Sequence, residues 1–94
     1  MNEAELESRV LAILLEVAPD VDPGSLARDV DFRDQFDFDS MDTLNFAIGL
    51  HRAFGIEVPE TDYRYLAGLG KAVTYVVQAL ASESPPPTSS RRAV

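Results

Sequence analysis

Helical periodicity in three separate stretches is the feature that most restricts how this chain can fold. Apolar residues recur at three- and four-residue spacing over residues 3–18, 40–54 and 71–82, which is the period of an amphipathic helix. A shorter helix is expected from about residue 61 or 62 to residue 67. We therefore predict an all-α fold, a small antiparallel bundle of three long helices and one short helix.

Helix-breaking residues separate these stretches. Pro19 ends the first stretch, and Gly55 is a natural stop for the second. Gly68 and Gly70 interrupt the pattern ahead of the last helix. One apolar face of each helix is then expected to meet the others in a shared core. The residues are Leu6, Val10, Ile13, Leu14 and Val17 in the first helix, Met41, Leu44, Phe46, Ala47, Ile48, Leu50 and Phe54 in the second, and Ala72, Val73, Val76, Val77 and Leu80 in the last.

Residues 20–39 lack a helical period and are predicted to form a long loop. Pro23 and Gly24 favour a turn, and a short helical turn is expected near Ser25. Five apolar side chains should hold the loop on the core: Leu26, Val30, Phe32, Phe36 and Phe38. Loops of this length are unusual in compact domains, which suggests that this one has a functional reason.

The 94 residues are enough for one domain and too few for a two-lobed enzyme cleft. Residues 1–82 are predicted to form that domain. Residues 83–94 are rich in proline and serine without apolar periodicity, so they are predicted to be a disordered tail. The helices leave no obvious exposed stripe for a dimer, and a monomer is expected.

Composition excludes several classes of function. The net charge is −8, from sixteen acidic and eight basic residues. Nucleic acid is therefore not an expected partner, whereas proteins with basic surfaces are expected partners. The absence of cysteine excludes disulfides, thiolate metal sites and cysteine nucleophiles. No apolar run is long enough to cross a bilayer, and the acidic N-terminus does not resemble a signal peptide. The expected location is cytoplasmic.

One serine stands in an unusually acidic stretch, FDFDSMDTLNF, which holds Asp37, Asp39 and Asp42 around Ser40. Asp39 is well placed as a helix N-cap, and Asp42, three residues later, is placed as the acidic partner of a capping box. Capping accounts for these two aspartates but not for the serine. The Ser40 hydroxyl, at the first helical position, should point into solvent.

Two chemical roles for this stretch can be rejected. A serine hydrolase needs a base near Ser40, but His51 lies eleven residues along the same helix, roughly 16 Å away, and no G-x-S-x-G motif is present. A calcium loop that starts at Asp29 would place Asp34 at the required glycine, and a frame two residues later fails in the same way. We expect neither catalysis nor a dedicated metal site. A third role for an exposed hydroxyl at a helix start is covalent modification, since the helix dipole there tolerates a phosphodiester; the alternative is a plain structural serine beside the caps.

Phe38-Asp39-Ser40-Met41-Asp42 resembles the [FL]-D-S-[LM]-[DE] signature of acyl carrier proteins. The order of helices, the long loop and the downstream F-G-I-E-V-P also agree, so the resemblance extends over about residues 6–80. It implies that Ser40, with Asp39 beside it in the motif, is the site at which a phosphopantetheinyl transferase attaches 4′-phosphopantetheine from coenzyme A. It also implies a carrier rather than an enzyme, whose partners are acyl-transferring or acyl-modifying enzymes with basic docking surfaces.

The resemblance also implies roles for other residues. Met41 and Asp42 match positions that partners of the family commonly contact, although plain packing is an equal alternative for Met41. Asn45 and Arg52, with His51, occupy positions that are often acidic in carriers of primary fatty acid synthesis, which indicates either a specialised set of partners or neutral drift. Acyl chains in the family can shelter between the second and third helices. The corresponding residues, which are ordinary core positions in the first instance, are Phe46, Ala47, Leu50, Phe54, Val58, Leu66 and Leu69.

We therefore expect a free-standing acyl carrier that holds acyl groups as thioesters, in a specialised fatty acid, lipid or polyketide pathway. A carrier excised from, or serving, a polyketide or peptide synthetase is a close variant. The alternative from another class is an unmodified helical module that acts by docking alone. Asp37 stands where the family usually has glycine, so the loop is expected to differ locally.

Overall fold

A computed structural model describes residues 2–82, and the predicted tail at 83–94 lies outside the described residues. The predicted all-α bundle is confirmed for this part of the chain. The long helices are α1 (Glu3–Val17), α2 (Ser40–Phe54) and α3 (Leu69–Ser82). The short predicted helix is a 3₁₀ helix, Glu60–Leu66, and two 3₁₀ turns, Pro23–Ser25 and Phe32–Asp34, lie in the long loop.

Local capping explains where α1 and α2 begin. The side chain of Asn2 accepts a hydrogen bond from the backbone N–H of Glu5 at 2.8 Å, and the Glu5 carboxylate accepts one from the N–H of Asn2 at 3.1 Å. Asp39 and Asp42 form the same reciprocal box at the start of α2, as predicted. Gly55 ends α2 with a φ of +68°, the left-handed conformation that glycine adopts without a Cβ clash.

The start of α3 differs from the prediction, which placed Gly70 before the helix. The helix begins at Leu69, so Gly70 lies within its first turn. The reason is a close approach of the long loop: the N–H of Gly70 donates to the carbonyl of Arg28 at 3.0 Å, and a Cβ at Gly70 would lie 3.2 Å from that oxygen. Gly70 is therefore a contact residue and not a helix terminator.

The core lies between the three long helices, the 3₁₀ helix and the loop. Its fully or almost fully buried residues are Leu6, Val10, Leu14, Phe32, Phe38, Phe46, Ala47, Leu50, Ile56, Leu66, Leu69, Ala72, Val73 and Val76. Four apolar residues expected to face this core are instead exposed: Val30, Met41, Ile48 and Val77. In α2 the reason is geometric, because at about 100° per residue Ile48 lies about 200° around the helix from the buried Phe46.

Polar side chains fix the path of the long loop. Gln35 donates from Nε2 to the carbonyls of Ala27 and Val30 at 2.9 and 2.8 Å, and its Oε1 accepts from the N–H of Ala27 at 2.6 Å. Arg28 donates from Nε to Glu7 of α1 at 2.9 Å. The loop is therefore held by contacts within itself and by a contact with α1.

Within residues 2–82, no helix has the length and apolar character needed to cross a membrane.

Candidate functional site

Ser40 is the first residue of α2, and the structure leaves its side chain exposed. The neighbouring carboxylates are both used in capping: Asp39 accepts from the N–H of Asp42 at 3.0 Å, and Asp42 accepts from the N–H of Asp39 at 3.1 Å. Thr43 donates from its hydroxyl to the carbonyl of Asp39 at 3.2 Å. Among residues 2–82 no hydrogen bond involves the Ser40 hydroxyl, so that hydroxyl faces solvent without a partner in the described chain.

An aromatic cluster supports the loop immediately before the serine. Phe38, two residues ahead of Ser40, is 6% exposed, and its ring centroid lies 4.9 Å from that of Phe32 and 6.4 Å from that of Phe46. Phe36 packs against Phe32 and Phe38 at centroid distances of 5.5 and 5.8 Å. These rings join the loop to α2, so the position of the Ser40 hydroxyl is set by the core.

Two hollows open beside the serine. One, of about 470 Å³, lies between the loop, the start of α2 and the 3₁₀ helix; its lining is Asp31, Arg33, Phe38, Ser40, Thr43, Tyr63, Arg64, Ala67 and Lys71. The other is a shallower surface depression lined by Arg33, Phe36, Asp37, Phe38, Asp39 and Ser40. An exposed hydroxyl beside open space can accept a long tethered group without displacing core residues.

A larger hollow of about 720 Å³ lies further from the serine. Its lining includes Tyr65, Thr74 and Tyr75 but not Ser40, and it shares only Asp31 and Lys71 with the hollow at the serine. Lys71 donates to Asp31 at 2.9 Å, so this ion pair stands between the two spaces.

The predicted docking residues lie on the outer side of α2. Met41 is 61% exposed, Asn45 and Arg52 are exposed, and Asp42 is half-buried by its capping role. Sequence reasoning missed Ile48, which lies seven residues after Met41 on the same side of the helix.

His51 has a structural contact at the other end of the helix. Its Nδ1 lies 2.7 Å from the carbonyl oxygen of Ile56, so the tautomer that carries hydrogen on Nδ1 donates this bond. The contact joins the end of α2 to the connection that follows it.

The outer side of α2 is acidic at its start, apolar at Met41 and Ile48, and basic at Arg52.

The residues predicted to shelter an acyl chain are core residues in this structure. Phe46, Ala47, Leu50, Leu66 and Leu69 are buried, and Phe54 and Val58 are half-buried at the edge of the core. The hollow at Ser40 has a different lining. Sequence reasoning did not find Arg33, Tyr63 and Arg64, because nothing local in the sequence shows that a loop residue and the 3₁₀ helix meet at the serine.

In the part of the chain that the structure describes, no group of three or more histidine, cysteine, aspartate or glutamate side chains is arranged to hold a metal ion.

A small helical bundle with an exposed serine at the start of its second long helix is the arrangement that the resemblance to carrier domains predicted. Comparison with known families agrees: the family model described as "Phosphopantetheine attachment site" matches residues 8–76. The chain belongs to the phosphopantetheine-binding acyl carrier protein family, as the resemblance predicted. Members of this family carry 4′-phosphopantetheine and are carriers, not enzymes.

Individual relatives extend the match over nearly the whole folded part. An acyl carrier protein of Guillardia theta is 30% identical over 82 residues, which cover 87% of this chain and 100% of that protein. An acyl carrier protein of Lactobacillus johnsonii is 29% identical over 76 residues, covering 81% of this chain and 94% of that protein. A meromycolate extension acyl carrier protein of Mycobacterium leprae is 28% identical over 83 residues, covering 88% of this chain and 71% of that protein.

Proposed function

We propose that Ser40 is the residue to which 4′-phosphopantetheine is attached, and that the protein holds acyl groups as thioesters and presents them to partner enzymes. The observation that carries this proposal is the exposed Ser40 hydroxyl at the first position of α2, within the motif Phe38–Asp42 and inside the region matched by the family model. The nearby hollows give a tethered arm room at the surface.

The chain contributes the nucleophile and its placement. The Ser40 oxygen attacks the phosphorus that carries the pantetheine moiety of coenzyme A, 3′,5′-ADP leaves, and the hydroxyl proton passes to a base of the transferase. Asp39 and Asp42 are occupied as caps and hold the first turn of α2 in place during this step. Once bound, the group supplies a thiol that forms and releases thioesters, and the chemistry on the acyl group belongs to the partner enzymes.

The outer side of α2 supports a specialised set of partners. The acidic residues near Ser40 favour a partner with basic groups at the serine end. Met41, next to Ser40, and Ile48, two turns further along, are exposed apolar side chains, and Arg52 carries a positive charge near the other end of the helix. We propose a partner surface that has basic groups near the serine and apolar groups facing Met41 and Ile48, in a specialised fatty acid, lipid or polyketide pathway. One of the relatives named above is an acyl carrier protein of meromycolate extension, which is compatible with a specialised lipid pathway for this chain.

The docking proposal has a well-matched control. Ile48 and Val77 are exposed to the same degree, 40% and 39%, on different helices. Ile48→Asp should lower kcat/KM for modification by a phosphopantetheinyl transferase by about tenfold, the effect of losing one well-packed apolar contact, while Val77→Asp should leave it within about twofold. Equal effects of the two substitutions would contradict docking through α2.

Shelter of the acyl chain among the seven predicted residues is a separate proposal. Its support is that Phe54 and Val58, at the edge of the core, are only half-buried. Backbone amide shifts on loading an octanoyl group, compared with an acetyl group, should then change near these residues. Shifts confined to the surface around Ser40 would contradict shelter.

The attachment proposal is tested by intact mass. The purified protein is incubated with coenzyme A and a broad-specificity phosphopantetheinyl transferase, and one phosphopantetheinyl increment is expected. Ser40→Ala should abolish the increment. Ser8→Ala removes a different exposed serine hydroxyl, on α1, and the increment should remain. Absence of the increment from the folded wild-type protein, or its persistence in Ser40→Ala, would refute Ser40 as the attachment site and favour a module that acts by docking alone.

A further inference from the structure

A phosphodiester on Ser40 would add a negative charge where the chain is already acidic. Asp37 and Asp39 line the same surface depression as Ser40, and Asp42 caps the same helix turn. Like charges on residues within three positions of one another repel each other near a protein surface, more so at low salt. The helix dipole offsets only part of this repulsion, because Asp39 and Asp42 already occupy that end of α2. A cation from elsewhere in the fold would offset the remaining repulsion.

Basic side chains are concentrated around the hollow that contains Ser40. The chain has eight lysines and arginines, of which Arg91 and Arg92 lie outside the described residues, leaving six. Three of those six, Arg33, Arg64 and Lys71, line the hollow that contains Ser40. In a chain of net charge −8, half of the described cations thus line one hollow, together with one carboxylate, Asp31, and this excess of positive charge favours an anion there.

Arg33 is the best placed of the three. It lines both hollows that flank Ser40, whereas Arg64 and Lys71 line only one of them. Its backbone position is rigid, because the preceding Phe32 is completely buried and donates from its N–H to the carbonyl of Ala67 at 2.7 Å. The start of the Arg33 side chain is therefore fixed relative to the serine by the core.

Arg33 and Arg64 have no carboxylate partner in the described part of the chain. The ion pairs present among residues 2–82 involve neither of them, whereas Lys71 is paired with Asp31 at 2.9 Å. The Arg64 guanidinium lies 5.0 Å from the centre of the Tyr65 ring. A guanidinium presents paired N–H donors that match two oxygens of a phosphate, which an ammonium does not.

We propose that Arg33, assisted by Arg64, binds the phosphodiester of the phosphopantetheine arm on Ser40. This inference rests on the proposed function of Ser40 and adds a positioning role for two arginines. Arg33 neutralises the charge added beside the aspartates. Because Arg64 lies on the 3₁₀ helix side, the pair directs the start of the arm into the hollow between the loop and that helix, and away from the docking side of α2.

The test compares the modified and unmodified forms of each variant. The quantity measured is the difference in Tm between the form carrying phosphopantetheine and the form without it, at low salt, after intact mass has confirmed full conversion. Any general effect of a substitution on folding is present in both forms and cancels. Arg33→Gln should lower this difference by about 2 to 6 °C relative to wild type. Arg33→Lys should restore part of it, and 1 M NaCl should reduce the effect.

Arg9→Gln is the matched control, because Arg9 lies over the Phe54 ring at 4.7 Å and lines neither hollow at Ser40. Its difference in Tm should equal that of wild type. A second measurement needs no variant: the Nε–Hε NMR signal of Arg33 in the wild-type protein should shift on modification, and that of Arg9 should not.

The outcomes separate this inference from the proposal on which it rests. Full conversion with the same difference in Tm for Arg33→Gln, Arg9→Gln and wild type, and no shift of the Arg33 signal, would overturn the role of Arg33 and leave Ser40 as the attachment site. Failure of the wild-type protein to gain the phosphopantetheinyl increment would overturn both.

Discussion

Phe32 is the residue through which the loop before Ser40 is attached to the core, and replacing it gives the sharpest test of how the site is built. Its side chain is completely buried. Its ring centroid lies 5.5 Å from that of Phe36, 4.9 Å from that of Phe38 and 5.9 Å from that of Phe46. Removing this ring should loosen the loop and α2 together.

The expected loss can be set against the stability of the whole domain. Truncation of a buried Phe to Ala costs about 3 to 5 kcal/mol, whereas a folded part of about 80 residues is stable by only about 4 to 12 kcal/mol. Phe32→Ala would therefore remove between about a quarter and all of the stability of the domain. Phe32→Leu keeps most of the volume and should cost about 1 to 2 kcal/mol, largely through lost contacts with the three rings.

Thermal and urea unfolding followed by circular dichroism would measure this loss. For a domain of this size it corresponds to a fall in Tm of about 4 to 16 °C. Phe54→Leu is the matched control, since Phe54 is half-buried and belongs to none of the ring pairs found within residues 2–82. Its cost should stay near 0.5 kcal/mol, about the lower end of the range for an exposed cation–π contact, which Phe54 makes with Arg9. If Phe32→Leu costs no more than Phe54→Leu, the aromatic cluster does not anchor the loop.

Three further predictions concern polar groups. Gln35→Leu should destabilise the protein by about 1 to 3 kcal/mol in urea unfolding, because two carbonyls and one N–H of the loop lose their partner; no change would show that water replaces the side chain without cost. Asp39→Ala should cost about 1 kcal/mol through loss of the N-cap, while Asp39→Asn, which can still accept the hydrogen bond, should cost only a few tenths; equal losses would point to the charge instead. Burial and the hydrogen bond to Asp62 raise the pKa of Tyr75 to about 12, above the value of about 10 for an unfolded tyrosine. The protonated Tyr75 therefore stabilises the folded state fully below about pH 10, and this stabilisation is lost as the pH rises towards 12. NMR titration of the Tyr75 ring should show its pKa falling in Asp62→Ala, and an unchanged pKa would refute this account.

Features set by neighbouring residues could be predicted from the sequence. The helix Ser40–Phe54 was predicted with its observed bounds, because Asp39 and Asp42 cap it from within three residues of each other and Gly55 ends it. The motif around Ser40 is equally local, and it led to the family that the comparisons confirm. The periodicity of apolar residues was sufficient for the number and order of the helices.

Features that depend on which elements meet were decided only by the tertiary structure. Periodicity does not show where an apolar stripe is centred, so Ile48 and Val77 were expected to face the core but are exposed, and for Met41 it left packing and partner contact open. Gly70 has the sequence signal of a helix end, but the contact with the Arg28 carbonyl places it inside α3.

The surroundings of Ser40 show the same division. The sequence by itself determined that a serine stands at a capped helix start among aspartates. The cations beside it come from a loop turn, Phe32–Asp34, and from the 3₁₀ helix Glu60–Leu66, which are far apart in the chain. Arg33 and Arg64 reach one hollow because buried Phe32 and Leu66 fix those two segments on the same core, and packing between distant residues leaves no local pattern in the sequence.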